Sequence, residues 1–126
     1  MLNQVKKLRK LKLLFVDDEV EIVDIISDTL SKLDLEFHVC FNGKQAVEII
    51  NNNEIDLIVT DINMPEMDGI ELIKYVKNKN SNINCIVMSA YTEKRYKEIS
   101  KDLGVKEYIT KPFDFKEFLE LIDRLY

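Results

Sequence analysis

Two apolar runs in this chain stop on carboxylates. Leu13-Leu14-Phe15-Val16 meets Asp17-Asp18-Glu19, and Ile58-Val59-Thr60 meets Asp61. The second junction leads at once into a segment with a proline and a glycine, Ile62-Asn63-Met64-Pro65-Glu66-Met67-Asp68-Gly69. Two buried strands ending this way gather negative charge at one edge of a sheet. Carboxylates held that close repel and raise one another's pKa unless a cation neutralises them. An all-oxygen set suits a hard divalent ion, and Mg²⁺ takes one or two carboxylates plus water and phosphate oxygens. The chemistry indicated is metal-assisted phosphoryl transfer. Asp61 is the candidate nucleophile, because a carboxylate can attack phosphorus in line and become an acyl phosphate.

Two more residues fit that chemistry. A third apolar run, Asn84 to Met88, finishes in Ser89, whose hydroxyl can donate to a phosphoryl oxygen. A further strand, Lys106 to Thr110, is followed by Lys111, whose ammonium can pair with Asp61 and then with transferred phosphate. Taken singly, each has an ordinary explanation. Asp17, Asp18 or Asp61 could cap a helix or a turn, and serine and lysine are common at strand ends. Found together at four strand ends, they make coincidence improbable.

The elements that must hold these residues alternate between strand and helix. Residues 12–16 are apolar without alternation, as expected of a parallel strand buried on both faces. Val20, Ile22, Val23, Ile25, Ile26, Leu30 and Leu33 mark an amphipathic helix from Glu19 to Leu33. Phe37 to Phe41 reads as a second strand nearer an edge, and Asn42 with Gln45 predicts a capping box for the next helix, ended by Asn51-Asn52-Asn53. Asp56 to Thr60 is the third strand, Ile70 to Lys77 the third helix, and Asn78 to Asn84 an asparagine-rich loop. After the fourth strand, Thr92 is the expected cap of a polar helix from Glu93 to Asp102, closed by Gly104 in the left-handed conformation. The fifth strand is Lys106 to Thr110, and Asp114 with Glu117 opens a final helix through Leu125.

Five βα units specify an α/β doubly wound fold, because parallel strands need helical crossovers. At this size the natural arrangement is flavodoxin-like: five parallel strands in the order 2-1-3-4-5, helices on both faces, and the site at the strands' carboxyl ends.

Composition narrows the classes. The 126 residues make one domain, and 46% apolar with 33% charged residues is ordinary for a globular protein. A net charge of −5 argues against a general nucleic-acid binder. No apolar stretch is long enough to span a bilayer and no signal peptide is evident, so the chain is expected in the cytoplasm, with Cys40 and Cys85 as reduced core thiols. Residues 1–11 form a basic N-terminal extension, with Lys6, Lys7, Arg9 and Lys10 and no acid; a frayed, solvated terminus is the expected state. Leu2, Val5, Leu8 and Leu11 nevertheless recur at helical spacing. His38, the sole histidine, lies away from the site on the second strand and is expected to be structural or exposed.

Four segments, Phe15 to Glu19, Thr60 to Gly69, Met88-Ser89-Ala90 and Tyr108 to Phe113, occur in an order and spacing that resembles the receiver domain of bacterial two-component response regulators. The resemblance covers essentially residues 11–126, with 12–126 taken as the receiver domain. It implies a phosphorylation-activated switch, not a turnover enzyme, in which Asp61 accepts phosphate from a sensor histidine kinase or a histidine phosphotransfer protein. Mg²⁺, with Mn²⁺ as a substitute, would be bound directly by Asp18, Asp61 and the Asn63 carbonyl, with Asp17 acting through water. Ser89 and Lys111 would hold the phosphoryl oxygens. It further implies a switch in which Ser89 moves toward the phosphate and Tyr108 turns inward, read out on the fourth helix, fifth strand and final helix by an output domain or docking partner, or by pairing of phosphorylated copies. A cis Lys111–Pro112 bond is also implied. Asn63 and Tyr91 flank the path of attacking water.

Two other classes compete. A Mg²⁺ phosphohydrolase of the haloacid-dehalogenase type also uses an aspartate nucleophile, but it needs a general acid two residues later, where this chain has Asn63. A degenerate receiver that only binds partners would not need the complete set of acids, Ser89 and Lys111. A stand-alone receiver that acts by docking and the excised domain of a larger regulator both fit the sequence; the last helix stops at Leu125-Tyr126 without a polar tail, a slight hint at the second.

Overall fold

The computed structural model describes residues 2–64, 66–80, 82–90 and 94–126. In chain order the elements are α1 (Leu2–Arg9), β1 (Leu13–Val16), α2 (Val20–Lys32), β2 (Phe37–Cys40), α3 (Gly43–Asn52), β3 (Leu57–Asp61), α4 (Gly69–Lys79), β4 (Asn84–Ser89), α5 (Lys94–Asp102), β5 (Glu107–Thr110) and α6 (Phe115–Leu125). The five strands form one sheet in the order β2-β1-β3-β4-β5, with every neighbouring pair parallel. That is the expected topology. The strands β1 and β3 are buried along their whole length, whereas the edge strands β2 and β5 are only partly covered.

The pleat divides the core in two. Leu13, Phe15, Leu57, Val59, Ile86, Met88 and Ile109 point to one face, where they pack with Leu30 of α2 and Phe118, Leu119 and Ile122 of α6. Leu14, Val16, Ile58, Cys85 and Val87 point to the other, against Ala46 and Ile50 of α3 and Leu72, Ile73 and Val76 of α4. Successive strand residues alternate between faces, so one register fixes both halves. Phe15 and Phe118 stack across the first half with ring centroids 5.4 Å apart.

The basic extension departs from expectation. It is a helix, and Leu8 and Leu11 are buried in the core half shared with α6. Lys7 pairs with Asp123 of α6 at 2.5 Å, and the Arg9 guanidinium donates twice, at 3.2 and 3.1 Å, to the Leu33 carbonyl at the end of α2. An eight-residue helix is marginal alone. Packing of Leu8 and Leu11 supplies what so short a helix lacks, so a frayed terminus is not what forms.

Smaller differences are local. The helix α4 continues to Lys79 instead of stopping at Lys77, and Asn80 closes it through a backbone bond to Val76. Asn42 caps α3 as expected, accepting from the Gln45 N–H at 2.8 Å. The Gln45 side chain returns to the N–H of Phe41, one residue before the position a capping box uses. Asp68 and Asp114 cap α4 and α6 by accepting from the N–H groups of Glu71 and Glu117. Gly104 has φ +79° and the Lys111–Pro112 bond is cis, both as anticipated. The expected cap Thr92 and the tuning residue Tyr91 lie outside the described residues.

Candidate functional site

The carboxyl ends of β1, β3, β4 and β5 converge because the strands are parallel and adjacent. Asp61 ends β3, and its partner in register is Met88, which places Ser89 one step further along the neighbouring strand. Ser89 is fully buried, and its carbonyl accepts the Lys111 backbone N–H at 2.8 Å, tying the end of β5 to the end of β4. Asp17, one residue beyond β1, is also fully buried, and its backbone N–H donates to the Cys40 carbonyl.

Lys111 organises the centre. Its ammonium lies 2.5 Å from Asp17 Oδ2, 3.1 Å from Asp61 Oδ2 and 3.3 Å from Glu19 Oε1. The remaining oxygens of the two buried acids are held by the backbone: Asp17 Oδ1 accepts from the Glu19 N–H at 3.0 Å and Asp61 Oδ1 from the Ile62 N–H at 2.8 Å. Burial pushes the Asp61 carboxyl above its ordinary value near 3.8, against the opposing pull of Lys111. Burial acts to lower the Lys111 pKa, but the hydrogen bond to Asp17 and the charges of Asp61 and Asp17 outweigh it, so the ammonium is held charged.

The loop after Asp61 is seated by two close approaches. Gly69 brings its N–H to the Ile62 carbonyl at 2.8 Å, and a side chain there would overlap the Asp61 carbonyl oxygen. Gly43 packs under Met67, where an added Cβ would come within 2.6 Å of both Cγ and the carbonyl oxygen. Both glycines are required by proximity. Neither constraint is legible from spacing, although Gly69 stands in the motif.

Carboxylate oxygens of Asp17, Glu19 and Asp61 lie within 4.8 Å of one another. An oxygen-only cluster of that span fits a hard divalent cation by donor chemistry. Asp18 and Asn63 are exposed and stand outside this trio, while Glu19, not singled out as a site residue from the sequence, stands inside it. The acidic run at the strand end was the available signal for Glu19. Tyr108 is half-buried on β5, opposite Val87, and Lys97 of α5 sits 5.7 Å from its ring centroid. His38 is half-buried on β2, with β1 between it and β3. An apolar groove of about 430 Å³ adjoins the site, lined by Ile22, Ile25 and Ile26 of α2, by Phe113 and Phe115, and by Glu19 and Lys111.

A parallel sheet whose carboxyl edge presents buried aspartates, a serine and a charged lysine defines a phosphorylation-activated signalling switch. The response regulator receiver domain model matches residues 13–123, and the chain belongs to that family. It is 34% identical over 113 residues to sporulation initiation phosphotransferase F of Bacillus subtilis, spanning 90% of this chain and 91% of that one. The response regulator SaeR of Staphylococcus aureus is also 34% identical over 113 residues, but there the chain spans only 49% of the relative's length. Among solved structures, the response regulator TrrA of Thermotoga maritima aligns with TM-score 0.80 at 29% identity, over 91% of this chain and 98% of that one. Receiver domains act with histidine kinases or phosphotransfer proteins and with output domains, and the role of this chain is regulatory. Among the described residues, no helix is long and apolar enough to cross a membrane.

Proposed function

We propose that Asp61 is the phosphoacceptor of a cytoplasmic phosphorelay. The N–P bond of a phosphohistidine on a sensor histidine kinase or phosphotransfer protein breaks as a bond forms from phosphorus to Asp61 Oδ2, and the histidine leaves with its electron pair. The observation that carries this reading is the Lys111 ammonium, 3.1 Å from Asp61 Oδ2 and positioned to follow negative charge onto a phosphoryl group. Ser89, buried on the adjacent strand, supplies the hydroxyl for a second phosphoryl oxygen.

Asp17, Asp18, Asp61 and the Asn63 carbonyl are the groups that would hold Mg²⁺, or Mn²⁺ in its place. When bound, the ion supplies positive charge that offsets repulsion between the acids and an incoming phosphate. The TrrA structure was solved with Mg²⁺ and a beryllofluoride, which supports the same choice here. Tyr108 and Ser89 form the switch pair, and α5, β5 and α6 the readout face, for an output domain, a docking partner or a second phosphorylated copy. Residues 12–126 constitute the receiver, with residues 1–11 as an extension to it. Asn63 stands where a turnover phosphohydrolase needs a proton-transferring acid, so the chain is read as a switch that modifies only itself.

Intact-mass spectrometry with acetyl phosphate tests the proposal. One phosphoryl mass should appear with Mg²⁺, disappear with chelator, and be absent in Asp61→Asn. Unlabelled wild-type protein under saturating Mg²⁺ overturns it.

A further inference from the structure

We infer that Glu19 is a positioning residue for phosphoryl acceptance: its exposed carboxylate occupies the third hydrogen-bonding position of the Lys111 ammonium and yields it to an incoming phosphoryl oxygen. An ammonium has three N–H donors. Here all three have carboxylate acceptors, Asp17, Asp61 and Glu19, so Lys111 can take a phosphoryl oxygen only if one of them lets go. Asp17 is the least able to do so. Its side chain is wholly buried, and its other oxygen is fixed by the Glu19 backbone N–H. The Asp61 carboxylate carries the new group, so its contact is converted and not lost.

Glu19 differs on each count. Its contact is the longest of the three at 3.3 Å, and its side chain is 58% exposed, so solvent can receive the displaced carboxylate at little cost. It stands at the mouth of the site, in the N-cap position of α2, and makes no side-chain capping bond there. It also lines the apolar groove, as Lys111 does. In effect the chain supplies its own anion at the place where the phosphoryl oxygen must go. With Asp17, Glu19 and Asp61 ionised against one Lys111, these four groups carry a net charge of −2, and Glu19 is the acid nearest solvent.

This inference rests on Asp61 as phosphoacceptor, and the test separates the two. Labelling rates of the full chain are measured against acetyl phosphate concentration in saturating Mg²⁺, for wild type, Glu19→Ala and Glu19→Asp. In Glu19→Ala the half-saturating concentration should fall about three- to tenfold, with less effect at high salt. Its maximal rate should stay within about twofold of wild type, because the contact is lost before phosphoryl transfer. Glu19→Asp, which keeps the charge at the mouth, should lie closer to wild type. A half-saturating concentration that is unchanged or higher in Glu19→Ala, with wild type labelled on Asp61, overturns the inference alone. So does a loss of Mg²⁺ affinity in Glu19→Ala by calorimetry, which would make Glu19 a metal ligand. Failure of wild type to label removes the parent reading instead.

Discussion

Gly69 and Asp61 are packed backbone to backbone: a Cβ on Gly69 would overlap the Asp61 carbonyl oxygen and come within 2.9 Å of the Ile62 Cα. The atoms in the way belong to the main chain, so no rotamer change relieves the clash. Gly69→Ala should therefore cost about 3 kcal/mol, read from the urea midpoint. It should also depress acetyl phosphate labelling in the fraction that remains folded, since the residue forced aside is the proposed phosphoacceptor.

Removing the central cation should be costly. Lys111→Met leaves Asp17, fully buried, and Asp61, 7% exposed, without their counter-ion. A loss of about 3–5 kcal/mol is expected in chelator. Added Mg²⁺ should restore part of it, because a ligand that binds only the folded state stabilises that state. Urea melts with and without Mg²⁺ measure both effects.

Asp61→Asn should move stability the other way. The carboxyl is raised by burial above its value in the unfolded chain. The folded state therefore holds its proton more tightly, and ionisation costs stability as pH rises from the ordinary carboxylate range through the raised value. Above that window the wild type should be less stable than Asp61→Asn by about 1 kcal/mol or more, and the difference should shrink as pH falls. Equal stability of the two proteins at neutral pH would contradict the burial argument.

The N-terminal helix offers a contrast between buried apolar area and exposed charge. Leu8 is fully buried, so Leu8→Ala should cost about 2–5 kcal/mol. The Lys7–Asp123 pair is 35% and 50% exposed, so Lys7→Ala should cost under about 1 kcal/mol. Thermal melts of the two variants distinguish a packed helix from one held only by its charges.

Much of this was legible in the residues. Unbroken apolar runs such as Leu13 to Val16 identify doubly buried parallel strands, and that alone dictates where Asp61, Ser89 and Lys111 meet. What stayed hidden depends on tertiary approach. The eight residues of α1 keep helical spacing but are too few to hold a helix alone, and what decides their state is the surface that α6 offers to Leu8. The reach of Glu19 to Lys111 spans 92 positions in sequence, and no spacing rule reports it. Likewise, nothing in the neighbourhood of Gly43 says that Met67 will lie over it.

Among the described residues, Ser100 is the one buried side chain with an unsatisfied polar atom. It is 1% exposed on α5, and its hydroxyl has no hydrogen-bond partner. Burying an unmatched hydroxyl costs about 1–3 kcal/mol. Ser100→Ala should thus be neutral or stabilising by about 1 kcal/mol in a urea titration, a reversal of the usual outcome for a core substitution.

The seating of α1 has an electrical consequence. Residues 1–12 carry five cations and no acid, and α1 is fastened beside the start of β1 and the end of α2, at the pole opposite Asp61. The other thirteen cations face 23 acids, leaving −10 on residues 13–126. The fold therefore keeps this cationic segment away from the end that carries Asp17, Asp61 and Lys111. A partner that approaches the Asp61 end meets a surface separated from these cations by the length of the strands, and their influence on encounter there fades as salt shortens the screening distance.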